Sequence, residues 1–432
     1  MSNRLILGEG QYYSLNCIET GLNNNVLVVG ASGAGKTRGY VIPNLLEAAG
    51  SYVISDPKGN LYRDYGPYLK DRGYEICKLD FTDPADSSHY NFFNYIRSTQ
   101  DINKLAHMIA NNDKIGNVQD PFWDRAAELL VGSLIAYVKE TCIRREQNLA
   151  SVLKLSELIL IDENDSSAKS PMDMLMDDLE ATNGNSYAVK LYKKFRIAAG
   201  KTLKSIVITL NARIAMYDSP EIQKMTAYDD IDITSIGQKK KAVFVVVSDN
   251  DRSLDGLVNL FFTQAMNELC YYADKRCKNC ALPVPLRFIL DDFATNCKID
   301  DFPRMIASIR SRGISAMLMI QSEGQLIEGY SNDGRTIIAN CDSYVYLGGN
   351  DVDTAEAVAK RCDLPLKKIL NMPVGTNWIF RRGQAPINGT IIKLESYKEP
   401  QPTKAASNKC IVVVHKDDWK KANIPSPTCK EL

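Results

Sequence analysis

Asn25-Val26-Leu27-Val28-Val29-Gly30-Ala31-Ser32-Gly33-Ala34-Gly35-Lys36-Thr37 is the stretch on which the fold turns. Asn25 to Val29 reads as a buried strand, and a helical stretch follows from Lys36 to Ala49. Between them, Gly30 to Thr37 matches G-x-x-x-x-G-K-[ST] in full. Strand, small-residue loop and helix together give that motif its meaning. Small residues let backbone N–H groups close around the phosphates of a nucleotide, and the helix N-terminus adds a favourable dipole. Lys36 is placed to reach the β and γ phosphates, and the Thr37 hydroxyl to ligate Mg²⁺. The nucleotide-binding set is therefore Gly30, Ala31, Ser32, Gly33, Ala34, Gly35, Lys36 and Thr37. A second G-K-T, Gly200-Lys201-Thr202, has Phe195 in place of the first glycine and helical surroundings, so it reads as helix surface.

Outward from this loop, strands are expected at Ser51 to Ser55, ending at Asp56, and at Glu75 to Leu79. Strand alternating with helix argues a parallel sheet covered on both faces. The pattern then turns helical from about Ser98 to Tyr228. Asp120-Pro121 is a good helix start. Trp123, Ala127, Leu130, Leu134 and Tyr137 follow as one apolar stripe. Leu149 to Ile161, Met172 to Leu179 and Leu203 to Met216 also read as helices, with a break at Asn183-Gly184-Asn185.

Strands resume at Ala242 to Ser248, Leu286 to Leu290, Ala316 to Ile320 and Tyr344 to Leu347, the last ending at Gly348-Gly349. A late strand pair is expected at Trp378 to Arg381 and Thr390 to Lys393. Helices fit Gly256 to Asp274 and Asp301 to Arg312. The predicted fold class is α/β: a P-loop nucleotide-binding domain, residues 1–96 and 229–397, with an inserted all-α domain at 97–228. A short tail, 398–432, opens near Pro400-Gln401-Pro402 and is expected to be mobile.

Composition narrows the function classes. Lys plus Arg and Asp plus Glu are 52 each, which excludes a chain-wide basic coat but not a local basic channel. No apolar run approaches the roughly 20 residues of a membrane helix, and Met1 to Gly10 lacks the pattern of a signal peptide. The 11 cysteines are odd in number and scattered, which reads as reduced cytosolic thiols. The single C-x-x-C, Cys277 to Cys280, reads as ordinary thiols over a metal site. His89, His107 and His415 lack partners at metal-ligand spacing. Lys193-Lys194, Lys239-Lys240-Lys241 and Lys275-Arg276 read as solvated faces.

A P-loop needs an acidic partner at a neighbouring strand end. Leu286 to Leu290 runs into Asp291 and Asp292, so Asp291 is expected to hold Mg²⁺ and Asp292 to polarise the attacking water. Gln321 ends the next strand, where an amide can contact the γ phosphate or the water; it serves equally as a plain strand-end residue. Arg310, in Ile309-Arg310-Ser311-Arg312-Gly313, can stabilise transition-state charge in cis or from a neighbouring subunit, or simply end a helix. Asp56-Pro57-Lys58-Gly59 can line the nucleotide rim, although the pattern by itself suits a turn.

Together these segments resemble the coupling-protein ATPases of type IV secretion and conjugation, the TraG-like family. Asp56-Pro57-Lys58-Gly59-Asn60-Leu61 is similar to that family's D-P-K-G-E-L. Pro121-Phe122-Trp123 resembles the start of a helix in its all-α domain. Leu290-Asp291-Asp292-Phe293-Ala294 with Lys298-Ile299 resembles its L-D-E-F-A…G-K-I segment. Ile309 to Ile314, Gln321-Ser322 with Gln325-Leu326, and Asp353-Thr354-Ala355 resemble later segments. The resemblance spans about residues 4–395.

It implies a RecA-like domain plus an all-α domain, ATP with Mg²⁺, and a homo-hexamer when active, with the isolated chain monomeric and of low activity. It also favours functional roles for Asp56, Gln321 and Arg310, the last reaching into an adjacent subunit's site. The implied partners are single-stranded DNA with its relaxase, or an effector protein, and components of the secretion channel. The implied location is the cytoplasmic face of the cell membrane, reached through an anchor removed from this chain or supplied by a separate protein. Asp292 stands where the family has glutamate, one methylene longer. Two alternatives accompany this reading: a nucleotide-switched substrate receptor with little turnover, and a double-stranded DNA pump of the chromosome-segregation type.

Overall fold

The structure, a computed structural model, describes residues 3–111, 121–162, 165, 168–198, 200–293 and 295–397. Asp120, Ala294, His415 and the expected tail from 398 lie outside these residues.

Among the described residues, eleven strands form two sheets. β1 (Arg4–Gly8) and β2 (Gln11–Ser14) make an antiparallel hairpin that the sequence reading did not anticipate. The other nine are β3 (Val26–Val29), β4 (Ser51–Pro57), β5 (Glu75–Asp80), β6 (Lys241–Val247), β7 (Leu286–Leu290), β8 (Ile314–Ile320), β9 (Ser343–Tyr346), β10 (Thr376–Arg381) and β11 (Ile387–Thr390). Their order is β11-β10-β9-β3-β8-β7-β4-β6-β5. Every pair from β9 to β5 is parallel; β10 and β11 close one end antiparallel.

Both faces of the parallel part are buried. Leu27, Val29, Val53, Val245, Phe288 and Leu318 join one apolar layer. Val28, Ile54, Phe244, Ile289 and Met319 join the other. Near-continuous apolar strands are what two covered faces require. Lys241, expected on a solvated face, opens the interior strand β6 and is 1% exposed. Its ammonium pairs with Glu75 and donates to the Ser235 hydroxyl, which offsets the cost of its burial.

Among the described residues, every regular element between β5 and β6 is helical. Ser98 with Asp101 and Ser170 with Asp173 form capping boxes at two of these helices. The longest, Pro121–Thr141, packs against Thr99–Ala110 and Tyr187–Phe195. Its stripe falls inward as the spacing predicts: Ala127, Leu130 and Leu134 are buried, with Trp123 and Tyr137 half-buried beside them. Gly132 sits at the crossing, where an added Cβ would stand 3.1 Å from Leu191 Cδ1. Gly200-Lys201-Thr202 opens an ordinary helix, Gly200–Ile214.

Three elements depart from the sequence expectation. The helix after the P-loop is split: Thr37–Val41 winds as a π-helix before α-helix Ile42–Leu46. Pro43 cannot donate to the carbonyl four residues back and crowds it, so the preceding turn opens. Asp301 to Arg312 is two short pieces, Phe302–Met305 and Ile309–Arg312, because Pro303 starts a turn and Gly313 stops one at φ +74°. The last strand is Ile387–Thr390, because pairing of Thr390 with Thr376 fixes the hairpin register.

Candidate functional site

The P-loop leaves β3 at the carboxyl edge of the sheet and is tied to both flanking strands. Gly30 N–H donates to Ile320 O at the end of β8, and Ala31 N–H donates to Gly348 O just past β9, each at 3.1 Å. A Cβ at Gly30 would lie 2.8 Å from Leu347 Cβ. Gly33 and Gly35 take φ of +76° and +92°, conformations that cost an L side chain about 1–2 kcal/mol. The loop is thus shaped by glycine where the backbone must reverse. Gly348 was read from sequence only as a strand end; its position, matching the ends of β7 and β8, was the available signal.

Lys36 is 8% exposed and folds onto its own loop, its ammonium donating to Gly30 O at 2.8 Å and Ala31 O at 3.3 Å. Burial pulls its pKa down, while Asp292 and Asp291 push it back up. The Thr37 hydroxyl donates to Asp291 Oδ2 at 2.5 Å, across the gap between β3 and β7. Asp291 is 5% exposed, and burial raises its pKa against the pull of the Thr37 hydrogen bond. Asp292 N–H donates to Asp291 Oδ1 at 3.2 Å. Asp292 itself takes φ +50°, and its carbonyl accepts from Thr295 and Asn296 N–H. Aspartate tolerates this left-handed turn better than most residues.

Gln321 is exposed at the end of β8, directly beside Gly30, with its N–H donating to Gln325 Oε1 at 2.8 Å. Asp56 is fully buried at the end of β4. Its two oxygens accept from Leu61 N–H at 3.0 Å and Tyr62 N–H at 2.8 Å, anchoring the first turn of helix Asn60–Asp71. That placement differs from the expected rim: the carboxylate stands behind Asp291, committed to the helix. Burial raises its pKa to about 6, helped by the charges of Asp291 and Asp80.

Arg310 is not brought to the P-loop of its own chain. It precedes β8, at the amino edge of the sheet, where it donates to Cys17 O at 2.9 Å. The seven residues of β8 separate it from Gln321, about 20 Å of strand.

A hydroxyl and a carboxylate in contact, beside a glycine-shaped loop with an inward lysine, is the donor set for Mg²⁺ and a nucleotide triphosphate. Fold and site define a RecA-like P-loop fold with an all-α domain. The chain belongs to the type IV secretory system conjugative DNA transfer family, whose model matches residues 4–363.

It is 25% identical over 358 residues to the conjugal transfer protein TraG of Escherichia coli, covering 78% of this chain and 54% of that protein. It is 24% identical over 347 residues to the protein VirD4 of Agrobacterium fabrum, covering 77% and 48%. The chain therefore spans about half the length of the curated relatives it matches. Among solved structures, the bacterial conjugative coupling protein TrwB in its trigonal form with sulphate superposes with TM-score 0.65 at 18% identity, over 88% of each chain. TrwB in complex with ADP and Mg²⁺ gives 0.63 at 18%, over 88% of this chain and 87% of that one. No helix among the described residues is long and apolar enough to cross a membrane.

Proposed function

We propose that this chain is the ATP-hydrolysing part of a conjugative coupling protein, which recruits single-stranded DNA with its relaxase, or an effector protein, to a type IV secretion channel and drives transfer. The observation that carries this is the Thr37–Asp291 contact at 2.5 Å beside Lys36. In this reading Gly30 to Gly35 wrap the phosphates with backbone N–H groups, and Lys36 turns from the loop carbonyls to the β and γ phosphates. Thr37 and Asp291 hold Mg²⁺, which supplies positive charge against the phosphates when bound. Asp292 takes the proton of the lytic water, Gln321 orients that water beside Gly30, and Asp56 holds the wall behind Asp291. The nucleotide-bound TrwB structures support ATP and Mg²⁺ as the ligands.

Arg310 acts on a neighbouring copy's site. Its place on the opposite edge of the sheet supports this, since it cannot reach its own P-loop. Copies stacked edge to edge close into a ring, here a hexamer, at the cytoplasmic face of the cell membrane. The test is steady-state ATP hydrolysis across a protein-concentration series, with and without single-stranded DNA, beside Lys36→Ala. Turnover per subunit that climbs with concentration and DNA, and vanishes in the variant, supports the motor. Flat turnover despite measured ATP binding refutes it and leaves the nucleotide-switched receptor.

A further inference from the structure

At the amino ends of the strands, opposite the P-loop, lies a second cavity of about 820 Å³, a size that accepts a nucleotide. Among the described residues, no aspartate or glutamate lines it. Arg310 lies on its wall, exposed, and Arg287 of β7 lies deeper, 7% exposed. The Arg287 Nε donates to Ser315 Oγ at 3.3 Å; its two terminal nitrogens have no hydrogen-bond or ion-pair partner among the described residues.

Most other buried cations among the described residues are compensated, and Arg381, whose Nε also lacks a hydrogen-bond partner, at least stacks on Tyr13 with its guanidinium 3.9 Å from the ring centre. Lys241 has Glu75, Arg213 has Asp124, and Lys36 has two carbonyls. A guanidinium buried without an anion is a standing cost to the folded chain, and burial accordingly pulls its pKa down. Such a group is stabilised by an anion that arrives from outside. A planar fork of donors suits phosphoryl oxygens.

We infer that this cavity receives the phosphoryl end of a nucleotide held in the P-loop of a second copy, with Arg310 at its mouth and Arg287 as a second, deeper cation. The inference rests on the trans reading of Arg310 and adds a residue that the sequence did not single out. The second copy follows from geometry. P-loop and arginine pair sit on opposite edges of one sheet, about 20 Å apart, so edge-to-edge stacking sets one copy's nucleotide against the next copy's cavity.

The test is complementation in the full chain assembled on single-stranded DNA. Lys36→Ala lacks a P-loop lysine but keeps the cavity; Arg287→Met lacks the deep cation but keeps the P-loop. Each alone should lose turnover by about 10²-fold, with ADP affinity of Arg287→Met within twofold of the parent. Mixed in equal amounts, about a quarter of interfaces pair an intact P-loop with an intact cavity, and turnover should recover to about that fraction. Arg310→Ala mixed with Lys36→Ala is run in parallel, and Arg287→Gln replaces Arg287→Met should the latter not fold.

Arg287→Met turning over like the parent, while Arg310→Ala is inactive and complements, overturns the inference and leaves the Arg310 reading standing. Failure of both pairs to complement overturns both. Calorimetric binding of pyrophosphate to dilute Lys36→Ala, lost on adding Arg287→Met, shows that the cavity takes a free anion and overturns the second copy as the source.

Discussion

Asp56 is a buried carboxylate whose charge the fold resists, and Asp56→Asn tests that claim quantitatively. The carboxyl has a pKa raised from 3.8 to about 6, chiefly by burial. A raised folded-state pKa means that the native chain binds more protons than the unfolded chain between these values. Stability from this group is therefore fully present below 3.8 and lost as pH rises through about 6. The whole shift is about two units, or about 3 kcal/mol. Between pH 7.5 and pH 5 the linkage relation gives about 1.4 kcal/mol of it.

Asn has the same shape and keeps one acceptor for the Leu61 or Tyr62 N–H, but does not titrate. Groups that do not interact with Asp56 titrate equally in both proteins, so they cancel in the difference. Urea unfolding of parent and Asp56→Asn at pH 7.5 and 5.0 should show the parent gaining about 1.4 kcal/mol on the variant at the lower pH. A difference constant to within about 0.3 kcal/mol would mean that Asp56 does not hold its proton, and the reasoning from burial fails. Because Asp291 contributes to the shift, repeating the pair in an Asp291→Asn background should shrink the effect.

Lys36→Ala should lower ATP turnover by at least about 10²-fold while leaving the urea midpoint nearly unchanged, since its ammonium bonds only to loop carbonyls. Gly35→Ala places a Cβ at φ +92° and should cost about 1–2 kcal/mol of stability and weaken ADP binding, both measurable by thermal shift with and without nucleotide. Asp124→Ala strips the buried Arg213 guanidinium of a carboxylate 3.0 Å away, with both side chains only 11% exposed. It should destabilise the helical insert by about 3–5 kcal/mol; a midpoint within about 1 kcal/mol of the parent refutes the pair's importance. Gly30→Ala drives a Cβ to 2.8 Å from Leu347 Cβ, so nucleotide binding should fall along with stability.

What could be read from sequence was what local chemistry decides. Val26 to Val29 can only be a strand buried on both faces, and the glycines after it demand the loop. Asp291 was legible because an apolar strand runs straight into it. The role of Asp56 was not, since it depends on where the amides of Leu61 and Tyr62 turn back. The π-turn at Thr37 to Val41 was hidden because helix propensity says nothing of how one proline opens the turn before it. The β1–β2 hairpin was missed because β2 is short and half-exposed, with no alternation to mark it. Arg287 gave no signal because a lone arginine in a strand becomes informative only when its neighbours prove uncharged.

The antiparallel end of the sheet has a consequence for where this protein can be cut. The family model stops at residue 363, yet the chain runs on through β10 and β11 and returns to the P-loop. Ile391, just past β11, hydrogen-bonds to Gly375 and lays its methyl so close to Gly39 that a Cβ there would stand 2.3 Å away. A boundary drawn where sequence similarity fades would remove the wedge that rests on the first turn after Thr37. The nucleotide loop is in that sense built from both ends of the domain, and a fragment ending near 363 would carry every motif residue and lack a wall of the site.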